Sequence, residues 1–262
     1  MFWLTFGLAL AGTPNQDIEE AWSTYQQHAT FQVLGPDEKQ RDQLLAGNVV
    51  KIVQHRQGAP STALALLVMD YSIEEMWLAE FDPHFNQGED FVLLELTAGR
   101  PHTERWYGYL DLPFPFSDRQ WVADTWFNEA LAKATANRQW EFAWTLTPQG
   151  LALARPAIAA NKLPGVTLER MDAAIMTPDN EGAWLFLRLP EGRSLLGYHV
   201  TSTVGGSVPD WLVLRLVMGR LDELLRDVES RCATGLRGHY DSKHVRIMGG
   251  DHQPVDVGAF KR

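Results

Sequence analysis

One cysteine, Cys232, stands in 262 residues, so the chain can close no internal disulfide and build no cysteine-based zinc cage. Clustered cations are missing too. Lys and Arg number 23 against 33 Asp and Glu, a formal net charge of −10, and no basic run interrupts the balance. Phosphate-backbone binding needs such runs, which excludes a nucleic-acid partner and leaves at most transient contact with a membrane surface. No Gly-x-Ser-x-Gly elbow, phosphate loop or dinucleotide fingerprint occurs, and no two acids are spaced as an acid–base couple. Nothing implies a cofactor. His239, His244 and His252, with Asp241 and Asp251, match no zinc spacing, so no metal site is expected. Uncharged apolar sequence opens the chain at residues 1–11, too short to span a bilayer. Its Ala9-Leu10-Ala11 end resembles a secretory cleavage site without the basic start. The expected location is therefore periplasmic or secreted, and cytoplasmic if residues 1–11 are not a signal peptide.

What is present is apolar and aromatic. Hydrophobic residues make up 45% of the chain, with 10 Trp and 12 Phe, enough for a large core and an apolar cavity. Apolar periodicity predicts helices at 16–27 and 36–46. Ser72-Ile73-Glu74-Glu75 has the capping-box pattern, so a short helix is expected over 72–81. Alternating or β-branched runs predict strands at 49–56, 63–70, 91–97, 104–112, 119–128, 140–147, 171–177, 183–189 and 194–203. This order of elements indicates an α+β fold with an antiparallel sheet.

Near the end, Gly205-Gly206 permit a sharp reversal, Ser207 can cap a helix, and Pro209 suits its first turn. Leu214, Val217, Met218, Leu221, Leu224, Leu225 and Val228 then recur at three- and four-residue intervals, predicting an amphipathic helix over 209–231. Strand parity sorts the side chains. Trp121 and Phe127 share a face, as do Phe142 and Trp144, Leu196 and Tyr198, and Trp106 and Leu110. These residues, with Trp184 and the helix residues Leu214, Val217 and Leu221, are the candidate ligand-pocket set. Gly205, Gly206 and Pro209 are the candidate hinge. Asp118-Arg119 reads as a structural ion pair, His199 as an outer-face or core residue, and residues 233–262 as a loosely held tail.

The run Gly205-Gly206-Ser207-Val208-Pro209-Asp210-Trp211-Leu212-Val213 resembles the approach to the last helix of the START (steroidogenic-acute-regulatory-related lipid transfer) superfamily. Leu112-Pro113-Phe114-Pro115-Phe116-Ser117-Asp118-Arg119-Gln120-Trp121-Val122 resembles its proline-then-Ser-Asp-Arg segment. Gly182-Ala183-Trp184, Glu191-Gly192-Arg193-Ser194 and Tyr198 are similar to its penultimate hairpin. The matches follow family order across about residues 47–232; Thr203-Val204 replaces the Asp-Pro common before the glycines. The resemblance implies a helix-grip fold, in which a curved antiparallel sheet grips a long C-terminal helix over a hydrophobic cavity. It implies a ligand-binding domain over 47–232, and the residues outside it read as a short signal peptide (1–11), an N-terminal helical segment (12–46) and a C-terminal tail (233–262). The expected function is non-enzymatic binding or transfer of a hydrophobic small molecule or lipid. The rivals are a cyclase or hydrolase in the same fold, acting on a lipid- or polyketide-like substrate, and an interaction module whose own aromatics fill the cavity.

Overall fold

The computed structural model describes residues 13–82, 84–85, 92–100, 103–112, 116–147, 150–203, 205–206, 210–240 and 247–257. The apolar opening segment, Ser207, Pro209, His244 and residues 113–115 lie outside the described residues. In chain order, two helices, α1 (Pro14–Gln26) and α2 (Glu38–Leu45), precede the hairpin β1 (Val50–Arg56) and β2 (Ala59–Met69). Helix α3 (Ile73–Phe81) leads to β3 (Val92–Arg100), β4 (Thr103–Leu110) and β5 (Arg119–Phe127). Then come α4 (Glu129–Ala134), β6 (Gln139–Leu146), α5 (Gly150–Ala159), α6 (Leu168–Ala173) and β7 (Ile175–Met176). Strands β8 (Asp179–Arg188) and β9 (Ser194–Thr203) are followed by the long helix α7 (Asp210–Thr234) and the short α8 (Leu236–Tyr240).

Among the described residues, nine strands form one sheet in the order β1-β2-β9-β8-β6-β5-β4-β3, with β7 beside β5. Every pairing along that path is antiparallel; only the two-residue β7 runs parallel to its partner. The long helix and the sheet that grips it make this the expected α+β helix-grip architecture. One strand is corrected: Met171 lies in α6, and only Ile175–Met176 of 171–177 is extended. Thr167 caps that helix by accepting from the Arg170 amide, which local β propensity does not register. Helices α4 and α5 were not anticipated; α5 carries Pro156 internally and opens with Gly150, which conceal it.

Both sheet faces are covered. On the outer face, Ile18, Trp22 and Tyr25 of α1 and Leu44 of α2 pack on Leu64, Leu66, Leu185 and Leu195. Ala154 and Ile158 of α5 cover Tyr107, Tyr109 and Val122 further along. A polar knot pins the first group. Glu141, fully buried on β6, accepts from Tyr25 Oη (2.9 Å), Thr30 N (3.1 Å), Thr30 Oγ1 (2.7 Å) and Asn128 Nδ2.

On the inner face, α7 lies over β2 and β9 and against α3. Its Leu221, Leu225, Val228 and Cys232 are buried in the core with Ala65, Leu67, Met76 and Phe186. Burial first, and Glu75 second, push the Cys232 thiol above its ordinary value. At about 1.5–3 kcal/mol for each buried aliphatic side chain, Leu221, Leu225 and Val228 contribute on the order of 5–9 kcal/mol. That is comparable with the whole stability margin of a domain. Ser72 caps α3 by the capping box its sequence announces.

The described C-terminal residues are not a loose tail. Val255 and Tyr240 are buried, and residues 247–255 form a small hairpin closed by Gly249 N to Gln253 O (2.8 Å) and Val255 N to Ile247 O (2.9 Å). It seats on Trp140, where a Cβ at Gly250 would stand 2.6 Å from the indole. Glycine here is a demand of close approach, invisible to periodicity.

Replacing Leu221 with Asp places an unpaired carboxylate in this core and should cost about 3–5 kcal/mol, read as a lower urea-unfolding midpoint. A parent-like midpoint would show that α7 is not docked as described. Glu141 supplies a pH prediction. Burial raises its carboxyl above the ordinary 4.5, against the lowering effect of its hydrogen bonds from Asn128, Thr30 and Tyr25. The folded state thus holds the proton more tightly than the unfolded chain. This stabilising contribution is complete below 4.5 and disappears as pH rises through the folded value. Glu141→Gln should therefore flatten the fall in melting temperature above pH 4.5; an unchanged slope would contradict the assignment.

Candidate functional site

A cavity of about 860 Å³ opens over the inner face of β4, β5, β6, β8 and β9. Of the sequence-predicted set, Trp106, Trp121, Phe127, Phe142, Trp144, Trp184 and Tyr198 border it. Parity explains this grouping, since successive strands present alternate residues to one face. Leu196 and Leu221 are instead buried in the core. Leu214 and Val217 border a separate cavity of about 240 Å³, with His55, Ser61 and Val200. Leu110 is half-buried and borders neither.

Among the described residues, no side chain of α7 lines that space; the side chains of 210–213 and 216, in its first turns, lie outside the described residues. The helix covers the β2–β9 side of the sheet, while the aromatics lie toward β4–β6. The far wall comes from Glu80 and Phe81 of α3 and from Ile247, Met248 and His252 of the C-terminal hairpin. Leu93, Thr103, Glu104, Ala123, Thr125 and Trp126 complete the border. Thr125 shares the parity of Trp121 and Phe127 and was legible by that rule. Nothing local in the sequence links residues 247–252 to this space.

The indoles are held by specific neighbours. Gly108 sits opposite Trp121 in the ladder, where a Cβ would lie 2.2 Å from the ring, so the bare backbone lets Trp121 lie across β4. Trp144 Nε1 donates to Asn180 Oδ1 at 3.0 Å. Tyr198 packs against Trp184 and Trp144, with centroids 4.8 and 5.5 Å apart, and Phe142 lies 4.8 Å from Phe81. Tilted and edge-on contacts of this kind favour a rigid apolar wall.

The titratable groups at the border are already engaged. Glu80 lies 3.6 Å from Arg231, Glu104 accepts from Trp106 Nε1 at 3.2 Å, and His252 Nε2 is 2.9 Å from Glu129. Asp118, Arg119, Arg188 and His199 do not line the cavity. Arg188 pairs with Glu74. His199 packs edge-on against Phe31, and burial pushes its imidazole down to about 3, so it is neutral. His239 stacks on His84, with ring centroids 4.2 Å apart.

Burial works against the Arg119 cation, and the neighbouring Asp118 charge favours it. Asp118 accepts from Tyr109 Oη, Leu112 N (3.1 Å) and Arg170 Nη2 (3.1 Å). Burial opposes its ionisation, yet these bonds hold the carboxyl below its ordinary value. Arg119 is 2% exposed and donates to Ser117 O and to Gly205 O at 3.0 Å. Gly205 and Gly206 have φ of 66° and 71°, the left-handed region that favours glycine. Arg119 thus ties the start of β5 to the turn that launches α7.

No family model and no curated protein matches the chain. Among solved structures, human STARD10 superposes with a TM-score of 0.53 at 10% identity, covering 90% of this chain and 86% of that one. Human StAR-related lipid transfer protein 5 gives 0.53 at 10% identity, covering 84% and 94%. A STAR-related lipid transfer protein fragment from Xanthomonas axonopodis gives 0.50 at 16% identity, covering 71% and 94%. The likeness is one of fold: the chain has the helix-grip architecture of START domains.

Arg119→Lys shortens the buried cation and removes the planar fork, so one ammonium cannot serve Ser117 and Gly205 together. The expected loss is about 1–3 kcal/mol, visible in thermal unfolding. An unchanged transition would show that the tie to Gly205 is dispensable.

Proposed function

We propose that this chain binds one hydrophobic ligand of lipid size, without covalent chemistry, in the cavity over β4–β9. The observation that carries the reading is the 860 Å³ aromatic-walled space itself, within the range of small-molecule sites. Burying about 400 Å² of apolar ligand surface at roughly 25 cal/mol per Å² offers on the order of 10 kcal/mol before ordering costs. The lipid-transfer proteins that share the fold support a lipid as the ligand. Binding is favoured over catalysis because Glu80, Glu104 and His252 are each committed to a protein partner at the cavity border.

The test is to load the purified protein with diphenylhexatriene, a neutral apolar fluorophore, and to identify co-purifying molecules by native mass spectrometry and solvent extraction. Ala123, nearly buried and on the cavity border, is the place to fill the space. Ala123→Trp should keep the far-ultraviolet circular dichroism of the parent and weaken probe binding by about tenfold or more. Undiminished binding by a folded Ala123→Trp would place the ligand elsewhere, and a parent empty of both probe and lipid would end the proposal.

A further inference from the structure

We propose that the C-terminal hairpin, residues 247–257, is the movable wall of the main cavity, and that its undocking, not displacement of the long helix, admits and releases the ligand. This rests on the ligand-binding reading above and adds the route to it.

The two candidate lids differ in how they are held. Helix α7 buries Leu221, Leu225, Val228 and Cys232 in the central core, and Arg231 Nη1 donates to Ala79 O at 2.9 Å. Lifting it would expose the core under α3. The hairpin buries Val255 fully, with Ile247 and Val257 only partly covered. The polar contacts that hold it are separate from one another, among them Trp77 Nε1 to Met248 O (2.9 Å), Asn137 Nδ2 to Asp251 Oδ2 (2.9 Å) and His252 with Glu129, and the His252 ring lies 5.0 Å from that of Phe127. A segment with few buried apolar contacts opens at a small fraction of the global unfolding free energy.

Position favours the hairpin as well. Ile247, Met248 and His252 line the cavity, whereas no described side chain of α7 does. Met248 is 43% exposed, so this wall separates the aromatic interior directly from water. Beneath it, Trp140 is buried with its indole N–H lacking an acceptor among the described residues. Water reaching that group on opening would supply the missing hydrogen bond, offsetting part of the cost. The smooth seat of Gly249-Gly250 on Trp140 lets the segment leave and return without threading side chains past the ring.

Two measurements test this. In the full-length parent without ligand, hydrogen exchange at the bonded amides of Gly249 and Val255 should be faster than at the buried turns of α7 around residues 221–232. Equal protection would overturn the proposal whether or not any ligand binds. In stopped flow, protein loaded with diphenylhexatriene is mixed with excess dioleoylphosphatidylcholine vesicles. Gly250→Val, which drives a side chain into Trp140, should speed release about tenfold or more. Glu129→Gln, a milder change that removes the carboxylate 2.9 Å from His252 Nε2, should speed it about two- to fivefold and keeps the test available if Gly250→Val does not fold. Gly206→Val, at the turn before α7, should stay within about twofold of the parent. Acceleration by Gly206→Val with neither hairpin variant altered would identify α7 as the gate. Failure of the parent to load the probe would refute the ligand-binding reading itself, a result distinct from normal loading with unaltered release.

Discussion

The structure depends on how one wide apolar sheet face is covered. Strands lie about 4.8 Å apart, so the eight strands of the ordered path span roughly 34 Å. A helix with its side chains is only about 10–12 Å across. Helices α3 and α7 together therefore cover about half of the inner face, over β2, β9 and β8. The remaining half carries Trp106, Trp121, Phe127, Phe142 and Trp144 and is left with a large space above it. The cavity follows from this mismatch of widths more than from any special shape of one element. The outer face shows the opposite solution, with α1 and α2 at one side and α5 at the other, and its fully buried Glu141 is affordable only because several donors converge on it.

Much of this was legible from pattern. Two-residue alternation placed Trp121, Phe127, Phe142, Trp144 and Tyr198 on one face, and the ladder registers place them there too. Three- and four-residue spacing identified the buried stripe of α7, and Ser72 with Glu75 marked the start of α3. The Gly205-Gly206 turn was read from composition, and both residues have positive φ. Each of these signals is local: it needs only the residue and its near neighbours in sequence.

The failures are long-range. Which strands α7 covers cannot be deduced from its periodicity, and Leu214 and Val217 border the smaller cavity beside β2 and β9. Asp118 and Arg119 are adjacent in sequence, but their partners are distant along the chain, Arg170 for one and the Gly205 carbonyl for the other. The C-terminal hairpin has weak periodicity because glycines and a single buried valine hold it, together with partners from α3, α4 and the α4–β6 connection.

That hairpin also separates two properties that are coupled in most binding proteins. Three side chains of the cavity border, Ile247, Met248 and His252, belong to a segment outside the sheet and outside the long helix. Substitutions at Met248 and His252, which lie outside the core cluster that holds α7, can change the depth and polarity of the chamber. Over evolutionary time the selectivity of such a site can drift while the scaffold stays fixed, and a designer can vary the same short segment as a library on an otherwise constant chain.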